Sequence, residues 1–201
     1  MAVRTEERES SVRDWVLARE PGSCFTSSEV PGKPETVAVT LSRLAGSGGP
    51  IVRARRGIYW RRSPDTRFGS SAPDPEEVAL LAAGSGAGPA GASAANRIGF
   101  STQVPRRPHL AVIGRIPKGL PGVRFTSRSN PHRILLSPIE VAVLEAVRDF
   151  DRHSEVAWPV ALRRIRRLAD DGDIDLDAIA GVAAHERCAG LHERMAELLT
   201  A

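Results

Sequence analysis

Aromatic residues are scarce in this chain of 201 residues: three Trp, one Tyr and five Phe. Cysteine is scarcer. Cys24 and Cys188 are far apart, each in an apolar helical or near-helical context. A buried thiol is expected of both, and no disulfide framework is implied. No apolar run approaches the ~18 residues that a membrane span requires. The N-terminus, MAVRTEERES, is charged and lacks the apolar stretch of a signal peptide. A reducing cytoplasm is the expected compartment, with no membrane partner. Apolar residues make up 41% of the chain, enough to bury a core in one or two domains.

Acidic residues are missing from one long stretch. Residues 78–139 contain no Asp or Glu, while Arg97, Arg106, Arg107, Arg115, Lys118, Arg124, Arg128 and Arg133 are basic. From Glu140 onward 13 acids face 8 bases, a balance of −5, although the whole chain is +4. This polarity predicts that the first two-thirds meet a polyanion and the last third does not.

Catalytic signatures are also missing. There is no G-x-S-x-G, no P-loop and no H-E-x-x-H. Gly86, Gly88 and Gly91 match G-x-G-x-x-G, but a helix precedes them and no acid follows before Glu140. A dinucleotide site needs a strand before the motif and an acid ~20 residues after it. A flexible turn between helices is the expected role. Asp171, Asp173, Asp175 and Asp177 resemble a calcium loop, yet Ala178 and Ala184 stand where Gly and Glu are required. They are expected to form a solvated turn capping the next helix. His185, Cys188 and His192 share a predicted helical face, but the two histidines lie about 10 Å apart along it, too far for one metal. Arg163, Arg164, Arg166 and Arg167 could bind nucleic acid, but a solvated helix face pairing with nearby acids is the expected role. No enzyme activity, cofactor or metal is expected.

What the sequence does contain is concentrated in residues 26–62. Thr26-Ser27-Ser28-Glu29 has the form of a capping box, so a short helix can start at Thr26. Pro31-Gly32 stops it. Pro34 suits the first turn of a second helix, running to about Ala45. Val37, Ala38, Leu41, Leu44 and Ala45 have the spacing of a buried face. Lys33, Thr36, Thr40 and Arg43 fall on the other, where donors and hydroxyls meet base edges and phosphates. Residues 51–55, a turn at Arg56-Gly57 and residues 58–62 then predict a β-hairpin. It carries Arg53, Arg55, Arg56, Arg61 and Arg62, which can neutralise phosphates in a salt-dependent way. Helix, turn, helix and basic hairpin predict a winged helix-turn-helix that binds DNA.

The expected fold is α+β: this N-terminal winged helix-turn-helix, then a mixed α/β C-terminal domain ending in helices. The expected domains are 1–62, a linker at 63–75, and 76–201. Residues 1–9 are predicted to fray. A first helix runs from Ser11 to about Glu20, with Val12, Trp15 and Val16 inward. Asp74-Pro75-Glu76-Glu77 starts a helix to Ala83, and a short one follows near residues 92–97. Residues 109–113 and 123–127 are predicted strands, with a third at 134–136. Ser137-Pro138-Ile139-Glu140 is a second capping box, opening an amphipathic helix. Helices are predicted at about 154–169, 176–184 and 186–199.

The string Ala94-Ala95-Asn96-Arg97-Ile98-Gly99-Phe100-Ser101-Thr102-Gln103-Val104-Pro105 is similar to the A-x-x-x-L-G-L-S-T-Q-V-P string of AbiEi-type antitoxins. Ile98 and Phe100 replace leucines. The hairpin Arg55-Arg56-Gly57-Ile58-Tyr59 and the helix start Pro138-Ile139-Glu140-Val141-Ala142 also resemble that family, over most of residues 10–150. The resemblance implies an antitoxin of a type IV toxin–antitoxin pair. Such a protein represses its own promoter by binding inverted repeats and counteracts a nucleotidyltransferase-like toxin, usually without a stable complex. Carried over, DNA contact falls on Ser27, Lys33, Thr36, Thr40, Arg43, Arg53, Arg55 and Arg56, with Arg61 on the same hairpin. A relative of the family fuses such a module to a nuclease domain. This C-terminal half has no acidic–acidic–Lys constellation, so that activity is not expected. Two rival readings are a stand-alone regulator whose second domain dimerises or senses a ligand, and a non-specific nucleic-acid or RNA-binding module using the acid-free middle third.

Overall fold

The computed structural model describes residues 3–64 and 71–200, with side chains from residue 11 onward. The linker expected at 63–75 lies partly outside them. The fold is mixed α+β, with nine α-helices and two three-stranded sheets among the described residues. The chain divides into two compact units, Met1–Ala82 and Ala83–Ala201. The helix expected to open the second domain therefore groups with the first unit.

In the first unit, α1 spans Val3–Ala18 and starts well before the expected Ser11. Strand β1 (Cys24–Thr26) is followed by a single turn over residues 27–30, where a helix is expected. Two causes are visible. Thr26 is already paired with Ile58 of β3 (Ile58–Arg61), and Pro31 stops any helix one turn later. The capping box forms by half. Glu29 Oε1 accepts from the Thr26 backbone N–H at 2.8 Å and from its hydroxyl at 2.9 Å. Burial alone would raise the Glu29 carboxyl, but these bonds and Arg19 hold it below the ordinary range. Helix α2 (Pro34–Leu44) follows, then β2 (Ile51–Arg55). The sheet order is β1-β3-β2, all antiparallel.

Val12 and Val16 of α1, Val37 and Leu41 of α2, and Phe25, Ile51 and Tyr59 of the sheet form one core. Phe25 stacks on Tyr59 at 5.8 Å, and Trp15 meets Phe25 edge-on at 5.4 Å. Trp60, on the opposite side of β3, donates its indole N–H to Gly22 O at 2.8 Å. Helix α3 (Pro75–Ala83) begins with Asp74 accepting from the Glu76 N–H, and Glu77 accepts from the Cys24 N–H at 2.8 Å. Burial, then the charge of Glu77, pushes the Cys24 thiol up to about 12.

In the second unit the glycine-rich stretch is not the flexible turn expected of it. Gly88–Pro89 form a short strand, β4, antiparallel to β5 (His109–Ile113). A Cβ on Gly86 would meet Arg133 O at 2.6 Å, and one on Gly88 would meet Pro138 O and the Val141 Cβ at 2.6 Å. Glycine is needed because backbone and core approach this closely. β5 pairs in parallel with β6 (Arg124–Arg128), giving the order β4-β5-β6. The strand expected at 134–136 is absent. Asn130 caps the His132 N–H, Pro131 follows it, and Pro131–Leu135 form a 3₁₀ helix.

Helix α4 (Gly91–Arg97) ends in a Schellman motif: Phe100 N–H bonds Ala95 O and Gly99 N–H bonds Asn96 O. Gly99 takes the left-handed conformation there, φ 75°. Glu155 then holds the next residues. It accepts from the Thr102 N–H at 2.7 Å and from the Gln103 side chain at 2.8 Å. The string Ile98–Gln103 is thus a helix stop and a carboxylate clamp.

At the centre lies α5 (Pro138–Arg148), whose capping box forms in full. It is not the amphipathic helix expected, since residues 141–147 are all buried. It packs against α4, β4, α8 (Leu176–Ala183) and α9 (Ala189–Thr200). A short additional helix, α6 (Phe150–His153), precedes the one expected at about 154–169, which forms as α7 (Trp158–Asp170). Asp175 caps α8 through the Asp177 and Ala178 N–H groups, as expected. His185 lies in the turn after α8, so it shares no helix with His192.

Glu145 of α5 is fully buried because it is paired. Arg128 bonds it through Nε at 2.9 Å and Nη2 at 2.5 Å, and Arg133 Nη2 lies 2.7 Å away. Arg133 Nε and Arg148 Nη1 both reach Glu186 at 2.6 Å. Burial raises the Glu186 carboxyl, but these arginines outweigh it and hold it below the ordinary range. Two members of the acid-free basic segment, Arg128 and Arg133, are therefore paired with acids of the tail.

Candidate nucleic-acid interface

Helix α2 begins with Pro34 after Lys33 and buries Val37 and Leu41. A helix repeats every 3.6 residues, so Thr40 shares the buried side. It is 5% exposed, and its hydroxyl has no hydrogen-bond partner among the described residues. The sequence reading puts Thr40 on the outer face and Ala38 on the inner; the structure reverses both. The exposed positions of α2 are Pro34, Glu35, Ala38, Val39, Ser42 and Arg43, with Thr36 half-buried and Lys33 exposed just before the helix. Val39 is 48% exposed. Ser42 and Val39 are residues that the sequence reading misses. Spacing at 3.6 residues per turn, counted from the middle of the Val37–Leu41–Leu44 stripe, is the signal that finds them.

The hairpin is pinned to the turn before α2. Ser27 N–H donates to Gly57 O at 2.9 Å, and Gly57 holds φ 77° at the tip. Ser27 and the tip residues Arg55 and Arg56 are thereby brought together. Register in β2–β3 runs Ile51↔Arg61, Val52↔Trp60 and Arg53↔Tyr59, then shifts before Arg55↔Ile58. This bulge lets the strand bend near its end.

The five arginines divide. Arg53, Arg56 and Arg62 are exposed. Arg55 is half-buried, and its Nη1 has no partner among the described residues. Arg61 is held at the base of the hairpin by an Nη1 bond to Pro50 O at 2.9 Å. Two nearby acids bear on the field. Glu29 is paired with Arg19, whose guanidinium lies 4.5 Å from the Trp15 ring centre. Glu35 is exposed in the first turn of α2, where it opposes an approaching phosphate.

Comparison with known proteins adds little chemistry. A model described as a family of unknown function (DUF6088) matches residues 22–113. That span starts just before β1 and stops at the end of β5. Among solved structures, the chain is similar to the RV2827C protein from Mycobacterium tuberculosis. The TM-score is 0.42 at 16% identity, covering 98% of this chain and 76% of that one. No curated protein matches. No helix among the described residues is long and apolar enough to cross a membrane.

Proposed function

We propose that the chain is a sequence-specific DNA-binding antitoxin. Its first unit acts as a winged helix-turn-helix on inverted repeats of its own promoter, in the cytoplasm. Its second unit counteracts a nucleotidyltransferase-like toxin without a stable complex. The observation that carries the DNA-binding part is the Ser27–Gly57 hydrogen bond at 2.9 Å, which joins the arginine-bearing hairpin tip to the approach of α2. On this reading α2 enters the major groove. Lys33, Thr36, Ser42 and Arg43 supply donors, and Val39 supplies an apolar contact of the kind thymine methyls accept. Arg53, Arg55 and Arg56 follow the flanking phosphates. Ser27 lies at the junction. Thr40 and Arg61 leave the contact set, because one is buried and the other is held by Pro50. The antitoxin part rests on the AbiEi resemblance.

Fluorescence anisotropy with the upstream DNA of the chain's own gene tests the first part. The affinity for that DNA exceeds the affinity for random DNA by about a thousandfold or more at moderate salt. A ratio near one removes operator recognition and leaves only a non-specific module. Co-expression with the neighbouring gene tests the second part. Rescue from toxicity supports the antitoxin, and the lack of a toxic neighbour favours a stand-alone regulator.

A further inference from the structure

The second unit contains a cavity of about 540 Å³ between β6, the 3₁₀ helix and the turn after α8. That volume falls in the range of small-molecule sites, roughly 300–1,000 Å³. Its lining is short of acceptors. Glu186 is the one carboxylate in it, and its oxygens already accept from Asn130 Nδ2 at 3.1 Å, Arg133 Nε at 2.6 Å and Arg148 Nη1 at 2.6 Å. Donors are left over. Among the described residues Arg148 keeps Nε and Nη2 free, and Arg128, bonded to Glu145 through Nε and Nη2, keeps Nη1. Arg187 is exposed at the wall and makes no ion pair or hydrogen bond among the described residues.

The charges around the cavity agree. Arg128, Arg133, Arg148 and Arg187 are four cations. Glu145, Glu186 and Asp149, which acts on Arg128, are three anions. The surplus sits at Arg187. Beside it, the His132 and His185 rings lie 4.1 Å apart at 33° and both residues are exposed. His185 Nδ1 is tied to Gly181 O at 2.9 Å, and the His132 backbone to Asn130 Oδ1 at 3.0 Å. The two imidazoles therefore lie face to face, and the outer face of that stack is open to a further planar ring.

We propose that this cavity binds a nucleoside phosphate: the phosphate on Arg187 and the spare N–H groups of Arg148 and Arg128, the base against His132 and His185. A phosphate suits a site rich in guanidinium donors and poor in acceptors. The neighbouring planar surface is what distinguishes a nucleotide from a bare phosphate. This proposal stands independently of the DNA-binding reading, since every residue in it belongs to the second unit.

Isothermal titration of the full chain with the four nucleoside 5′-monophosphates, ribose 5-phosphate and inorganic phosphate is the test. At least one nucleotide binds, about tenfold or more tighter than ribose 5-phosphate, at one per chain. Arg187→Glu weakens it at least tenfold, and His185→Ala brings it to the level of ribose 5-phosphate. The melting temperature of each variant, measured beside the wild type, separates loss of the site from loss of the fold. Absence of binding by every nucleotide, binding unchanged in Arg187→Glu, or ribose 5-phosphate binding as tightly as the nucleotides overturns the proposal.

Discussion

Arg133 Nη2 lies 2.7 Å from Glu145 Oε1, and neither side chain has any solvent exposure. Glu145 also takes both arms of Arg128, so one carboxylate answers two guanidinium groups. Removing one partner of a buried pair leaves an uncompensated charge and costs about 3–5 kcal/mol. Glu145→Gln is expected to lose that much, measured by urea unfolding. Arg133→Met with Glu145→Leu is expected to recover most of it. Arg148 then still pairs with Glu186, and Arg128 can turn to solvent. A double variant as unstable as Glu145→Gln would mean that the pair itself, not charge balance, holds the unit together.

Two glycines of the second unit should respond with opposite signs to the same change. Gly88→Ala places a methyl 2.6 Å from Pro138 O and from the Val141 Cβ, against α5. Overpacking of this kind costs about 1–3 kcal/mol, and here the obstacle includes backbone. Gly181 lies inside α8, exposed, with nothing within 4 Å of an added Cβ. Gly181→Ala is expected to stabilise by about 0.5–1 kcal/mol, because alanine restricts the unfolded chain and favours helix. Thermal unfolding of the two variants beside the wild type reads both signs.

Thr40 carries a third expectation. Its hydroxyl is buried without a partner among the described residues, so it contributes a desolvation cost and no bond. Thr40→Val is expected to leave stability unchanged or raise it by about 1 kcal/mol, and to leave DNA affinity untouched. Anisotropy on the upstream DNA checks the second half. A tenfold loss of affinity would return Thr40 to the interface.

The fate of Thr40 shows what is legible in the sequence. Breakers and caps are local chemistry, so Pro34, the Arg56-Gly57 turn, the Ser137–Glu140 box and the Asp175 cap all lead to elements that form. Spacing alone is weaker. Sorting Thr40 and Ala38 by chemical type instead of angle puts both on the wrong face. Tertiary context defeats three further readings. Pairing with β3 draws Thr26 into a strand. Close approach of Val141 turns a glycine-rich string into a packed one. Tail carboxylates, more than ten positions away in sequence, account for Arg128 and Arg133. The hairpin arginines are readable as a set, but their division is not. Only the backbone shows that Arg61 reaches Pro50 O while Arg53 and Arg56 stay exposed.

The exposed arginines give a fourth expectation. Arg53→Ala with Arg56→Ala is expected to flatten the slope of log affinity against log salt by about 2, one for each phosphate no longer neutralised. The ratio of specific to random binding should change little, since phosphate contacts carry no sequence information. Arg61→Ala is expected to leave the slope alone. A slope that falls with Arg61→Ala but not with the double variant would place the phosphates at the base of the hairpin.

His109 gives a stability that depends on pH. Burial, then the charge of Arg124, holds its imidazole below the ordinary value, with Arg128 adding and Glu145 and Asp149 opposing. Its Nε2 lies 2.7 Å from Thr126 Oγ1 of β6, which joins the two parallel strands through side chains. The folded value lies below the unfolded one. The contribution is therefore complete above about pH 6.5 and is lost as pH falls through the folded value, because the unfolded chain takes up the proton first. Glu186 is also held low, but its window lies below about pH 4.3, the ordinary carboxylate value, so the two are separable. Urea midpoints measured between pH 8 and pH 5 should decline for the wild type and stay flatter for His109→Gln. Parallel declines would show that another group titrates in that range and that His109 takes up its proton equally in the folded and unfolded chain.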